Sequence, residues 1–164
     1  MQVNSNIPNI GEHSFWGVQS LRTLNLARNN ISLIIESNFK GLVSLEELNL
    51  SRNKINSFVS ASFSALVKLQ KLDLSWNRAT KLVERLFYNL HMLEVLHISG
   101  NWLRELTPDV FRDIWRLKEL RCRSCGLKTI NPLLYALLPD LQVSQDWIYN
   151  SQHFETQFIT LRLP

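Results

Sequence analysis

The most reactive side chains in this sequence are two cysteines, in the string Cys122-Arg123-Ser124-Cys125. A C-x-x-C spacing can serve thiol exchange or supply half of a zinc site, but zinc needs a second ligand pair and this chain has no other cysteine. Both residues occupy positions that recur elsewhere as inward leucine or amide. The expectation is therefore two buried, reduced thiols acting as small hydrophobes. The four histidines, His13, His91, His97 and His153, fall at spacings that fit neither a metal motif nor a nucleophile and its base. With five glycines in all, none can be spared for a phosphate-cradling loop. These residues point to no catalytic group, no metal and no cofactor, and so to a protein that is not an enzyme.

The elements that position these residues are set by a repeat. Leucine fills 29 of 164 positions, and its spacing is regular. Leu21, Leu45, Leu69, Leu93, Leu117 and Leu141 lie 24 residues apart, and Phe15, Phe39, Phe63, Phe87, Phe111 and Tyr135 form a second column in the same register. Two columns with one spacing define an internal repeat. Further columns run Leu24, Leu48, Leu72, Leu96, Leu120 and Leu26, Leu50, Leu74, Ile98, Cys122. Leu-x-Leu alternation predicts a short strand with one buried face, and the 24-residue period stacks such strands into a parallel sheet. The column Asn29, Asn53, Asn77, Asn101, Cys125 marks where the chain leaves the strand; an amide there can satisfy turn groups of two neighbouring coils. The aromatic column fills the return side, and only stacked coils bury all these faces together.

The segment Leu45-Glu46-Glu47-Leu48-Asn49-Leu50-Ser51-Arg52-Asn53-Lys54-Ile55, followed by Phe58 and Phe63, resembles the leucine-rich repeat family. The 24-residue length resembles its typical, mostly extracellular subfamily, as in internal repeats of Slit, Toll-type receptor and small leucine-rich proteoglycan ectodomains. The resemblance implies an α/β repeat solenoid, a curved right-handed coil with a concave parallel β-sheet and an irregular or short-helical convex side. It also implies protein binding as the usual role. Residues 1–141 are read as the solenoid, with a partial repeat over 1–20 and five full repeats over 21–140. Terminal coils need polar caps to stay soluble. Ser5 in place of an Asn, Gln2 in place of a Leu and the lack of cysteine-rich caps give the expectation of an internal fragment of a longer protein.

Residues 142–164 belong to no column. Gln142-Val143-Ser144 is what a splice donor, CAG followed by GTAAGT, would encode if read through, which makes a retained intron or isoform-specific tail one reading. The other is an evolved cap strand, since residues 158–163 alternate apolar and polar.

Binding is the remaining class of function. Side chains alternating with the buried leucines should line the concave face: Asn25, Glu47, Asn49, Lys71, Asp73, Val95, His97, Glu119, Arg121 and Arg123, together with Thr23, Ala27, Ser51, Ser75 and Ser99. Varied polar residues on a fixed scaffold suit recognition of a protein ligand. At the edge beyond each strand stand Arg28, Arg52, Trp76 and Gly100, with Asn30, Lys54, Arg78 and Trp102 two positions later. Exposed Trp beside Arg supports cation–π contacts at binding hot spots, or packing of Trp76 over Trp102 and Arg52 within the chain. Arg116, Lys118, Arg121, Arg123 and Lys128 form a basic cluster that could meet an acidic protein or a sulfated glycan. The net charge of +4 is mild, and aromatic and basic residues are not read as interleaved on one face, so nucleic acid is not expected. The longest apolar run, Leu133 to Leu138, is far too short to span a bilayer. Asn30-Ile31-Ser32 and Asn49-Leu50-Ser51 are sequons, with Asn30 toward the edge and Asn49 on the concave face. The expected parent is an extracellular or cell-surface receptor, adhesion or matrix protein; a cytoplasmic adaptor is the alternative, and reduced cysteines would suit it.

Overall fold

Each Leu-x-Leu unit makes a strand three residues long: β1 (Thr23–Asn25), β3 (Glu47–Asn49), β5 (Lys71–Asp73), β6 (Val95–His97) and β7 (Glu119–Arg121), each with its central leucine buried. The computed structural model describes residues 6–127, 130–141 and 160–161. The five strands pair in parallel, and every residue faces the one 24 positions further on, Leu24 against Leu48 and so through to Leu96 against Leu120. The result is a parallel-strand solenoid. A second, two-stranded sheet forms on the return side from β2 (Leu33–Ile34) and β4 (Ser57–Phe58). Residues Thr160–Leu161, within the alternating 158–163 segment, form β8 and pair antiparallel with β7. The readings of Gln2, Ser5, Lys128, His153 and residues 142–159 lie outside the described residues.

Past each strand the backbone ladder continues, from Arg28 N–H to the Ser51 carbonyl at 2.9 Å through to Gly100 N–H and the Arg123 carbonyl at 2.7 Å. There the chain reverses through one left-handed residue in every coil: Arg28, Arg52, Trp76, Gly100 and Ser124, with φ between 56° and 68°. Glycine is obligatory only at the fourth of these. A Cβ on Gly100 would lie 2.6 Å from Cε3 of Trp76, whose ring is packed against that backbone.

The next residue in each coil is the ladder amide. Asn53 is buried; its Oδ1 accepts from Ile31 N–H at 3.1 Å, and its Nδ2 donates to the carbonyls of Leu26 and Leu50, both at 2.9 Å. Asn77 and Asn101 repeat the pattern one coil on, accepting from Ile55 and Ala79, and Asn29 accepts from Ile7. Every such amide therefore ties its own turn to the coil before it. On the return side Phe39, Phe63, Phe87 and Phe111 are fully buried and meet in sequence, with centroids 5.7, 6.4 and 6.2 Å apart. The second and fifth coils approach this spine through 3-10 helices, Glu36–Phe39 and Pro108–Phe111. The others use a left-handed residue in the same register, His13, Ala61 or Arg85.

Two expectations are corrected. Tyr135, aligned with the phenylalanine spine, is exposed. Its coil closes with a short helix, α1 (Leu133–Leu137), and helical geometry sets Leu134 and Leu138 inward while turning Tyr135 out. Cys122 and Cys125 are buried as expected, but they are joined in a disulfide rather than reduced. Left-handed Ser124 folds the segment back so that the two Cα atoms lie 5.5 Å apart, inside the range a disulfide spans. At this step of the ladder the carbonyl of Cys125 itself accepts from Leu103 N–H at 2.9 Å, the role that Oδ1 of an asparagine plays elsewhere.

Candidate binding surface

The parallel register brings the concave residues into rows. Asn25, Asn49, Asp73, His97 and Arg121 are consecutive partners in one row, and Thr23, Glu47, Lys71, Val95 and Glu119 in the next. Ala27, Ser51 and Ser75, expected to line the same face, are buried, because the chain has already turned inward toward the ladder. Arg123 is exposed and borders a groove with Trp76, His97 and Arg121.

The row of short polar side chains does structural work. Asn25 accepts from Ala27 N–H at 3.0 Å, Asn49 from Ser51 N–H at 2.9 Å and Asp73 from Ser75 N–H at 2.8 Å, so each fixes the exit from its own strand. The charges are paired along the face. Lys71 Nζ lies 2.7 Å from Glu47, and this partner's hydrogen bond and charge raise the lysine above its ordinary value. His97 stands between two acids, Nδ1 3.9 Å from Asp73 and Nε2 3.3 Å from Glu119, and Glu119 also contacts Arg121 Nε. Burial pushes the Asp73 carboxyl up, but the hydrogen bonds and charge supplied by His97 and Ser75 outweigh it and hold the group below its ordinary value. Both ring nitrogens of His97 face carboxylates, so neither is turned to a nucleophile. Among the described residues no group of three His, Cys, Asp or Glu side chains could hold a metal ion.

The edge residues separate. Arg52 sits over the Trp76 ring, 5.5 Å from its centroid. Trp102 is 70 % exposed and makes no ring contact with Trp76, so the packing of one tryptophan on the other is absent. Arg28 and Arg52 border a polar recess with Asn29 and Asn30. Of the sequon asparagines, Asn30 is half-buried and donates to Asn6, whereas Asn49 accepts from both the N–H and the hydroxyl of Ser51 within β3.

On the outer side, unread in the sequence, His91 stacks on Trp115 with centroids 4.7 Å apart, and Arg85 lies 4.1 Å from the Tyr88 ring centroid. At the edge, Arg52, Lys54, Arg78 and Arg104 alternate with buried residues around the exposed Trp76 and Trp102, so aromatic and basic side chains do share a face. Among the described residues no helix is long and apolar enough to cross a membrane.

A stacked parallel coil with polar, solvent-facing rows defines a repeat solenoid, an architecture whose extended concave surface suits an interaction module. Leucine rich repeat profiles match residues 3–55 and 19–78, and a second one matches 92–114. The chain belongs to the leucine-rich repeat family. No curated protein matches it. Among solved structures, a TLR13–ssRNA13 complex is similar, with a TM-score of 0.74 and 28% identity over 85% of this chain. This chain covers 21% of that receptor chain. Since that protein is complexed with RNA, the exclusion of nucleic acid drawn from the sequence has no support.

Proposed function

We propose that this chain is a protein-interaction segment of an extracellular receptor, adhesion or matrix protein, and that its concave face receives a protein ligand. The observation that carries this reading is the row Asp73–His97–Arg121 beside Glu119, where charge changes from coil to coil on an invariant leucine framework. Such a pattern suits recognition of one complementary surface more than another. The extracellular placement is supported by the Cys122–Cys125 disulfide, since such bonds persist mainly in oxidising compartments. That bond also weighs against a cytoplasmic adaptor, which reduced thiols would have suited. A glycan on Asn49 would cover the concave face, while Nδ2 of Asn30 is engaged by Asn6.

The full chain, displayed against an array of purified ectodomains, tests the proposal. Partners retained by Trp76→Ala and Trp102→Ala but lost with His97→Ala and Arg121→Glu are the expected result. The reverse pattern would overturn it. Arg121→Glu should act mainly on the association rate and its salt dependence, because it alters charge at the rim of the contact.

A further inference from the structure

The edge beyond the concave sheet has a charge balance unlike the rest of the molecule. No carboxylate occurs in residues 27–35, 51–59 or 75–83, and the equivalent fourth segment, 99–107, has one, Glu105. The same segments carry Arg28, Arg52, Lys54, Arg78 and Arg104, with Lys81 further round its coil, all exposed. Among the described residues none of the first five is paired with a carboxylate, whereas on the concave face Lys71, His97 and Arg121 each are. Adjacent coils are roughly 4.8 Å apart, which sets Arg28 beside Arg52 and Lys54 beside Arg78 in neighbouring coils.

Two tryptophans stand among these cations. Trp76 is 52 % exposed, held by Gly100 on one side and neighboured by the Arg52 guanidinium. Trp102 is more open still; Arg78 precedes it in its column, and Gly126, which follows it, presents no side chain. An unpaired basic track with exposed aromatic faces is the arrangement that holds single-stranded nucleic acid, cations along the phosphodiester backbone and rings against unpaired bases. An acidic peptide or a sulfated glycan would meet the same cations, and competition with heparin separates the glycan from the oligonucleotide.

We propose that this edge binds single-stranded nucleic acid through Arg28, Arg52, Lys54, Arg78 and Arg104, with Trp102 as the stacking platform. The site lies outside the concave face and takes a different class of ligand from the one proposed there.

The test is fluorescence anisotropy of the full chain with labelled oligouridine and labelled oligothymidine, across a salt series, with heparin as competitor. Five neutralised phosphates give a slope of log K against log salt of about −3.5, and Lys54→Gln with Arg78→Gln should reduce it to about −2. Trp102→Ala should weaken binding by about 5- to 150-fold while leaving the slope unchanged, and Trp102→Phe should restore most of the loss. His97→Ala, on the concave face, should have no effect, which keeps this result independent of the protein-ligand reading. Tighter binding to oligouridine would mark RNA as the source, and equal binding would mark a site indifferent to the sugar; both support the proposal. No binding at low salt, heparin binding without oligonucleotide binding, or affinity indifferent to Trp102 would each overturn it.

Discussion

Replacing Asn53 by alanine should expose what the ladder contributes. Its Oδ1 is the partner of Ile31 N–H, and Ile31 is fully buried, so the variant leaves one donor without water or protein. Such an orphan costs about 1–3 kcal/mol. The carbonyls fare better: that of Leu26 still receives Asn29 Nδ2 at 3.0 Å, that of Leu50 still receives Asn77 Nδ2 at 3.1 Å, and that of Ser51 keeps Arg28 N–H. Losing a second bond at two of these carbonyls adds no more than about 1 kcal/mol each. The expected total is about 1–5 kcal/mol, dominated by the amide of the preceding coil. Asn53→Asp keeps the acceptor for Ile31 but points a carboxylate at carbonyls that had received a donor, so it should be no milder. Asn56→Ala, exposed and bonded only to the Ser57 hydroxyl and through its own backbone, should stay within about 0.5 kcal/mol of the parent. Urea midpoints at constant m rank the three variants, and hydrogen exchange at Ile31 locates the damage. Equal midpoints for Asn53→Ala and Asn56→Ala, with Ile31 still protected, would refute the reasoning.

Asp73 should make stability depend on pH. Its folded pKa is held below 3.8, so its contribution is complete above that value and is lost as the pH falls through the folded pKa. The stability gap between the parent and Asp73→Asn should therefore close on acidification, and a gap independent of pH would contradict the pairing with His97 and Ser75. The cysteines give a chemical readout: an alkylating reagent should add nothing to native or denatured protein, and two groups once denaturant and reductant are present together. Alkylation after denaturation alone would mean free thiols.

The buried part of this fold was legible in the sequence because burial repeats. Leu48, Asn53 and Phe63 each belong to a column whose chemistry recurs every 24 residues, and a side chain facing inward must fit the same space in every coil. The misreadings fall where local backbone geometry decides. Tyr135 kept its place in the column, but a helical turn moved the inward position to Leu134. Cys122 and Cys125 read correctly as buried, while the left-handed Ser124 that brings them together has no side-chain signature. Asp73 reads as a recognition residue, and the cap its carboxylate gives Ser75 N–H, two positions on, is a second role set by the turn. The surface was less legible still, because nothing repeats there. Trp76 and Trp102 read as edge residues beside Arg28 and Arg52, but the direction of each side chain after the strand depends on the turn.

That turn sets a cost which bears on where recognition lies. A left-handed conformation costs a non-glycine residue about 1–2 kcal/mol, and glycine would occupy it freely. Yet Arg28, Arg52 and Trp76 all adopt it at successive edge positions, and glycine enters only at Gly100, where the Trp76 ring lies against the backbone. Neither arginine offsets that strain with an ion pair to a carboxylate among the described residues, and Trp76 remains half exposed. Arg52 and Trp76 at least contact each other, and the Trp76 ring the Gly100 backbone, whereas the Arg28 guanidinium has no ion pair among the described residues to offset the strain. Replacing Arg28 with glycine gives the direct comparison: relief of backbone strain should hold or raise stability, while removal of one cation should reduce the salt slope of oligouridine binding by about 0.7. A loss of stability with the slope unchanged would assign Arg28 to the scaffold and remove it from the binding edge.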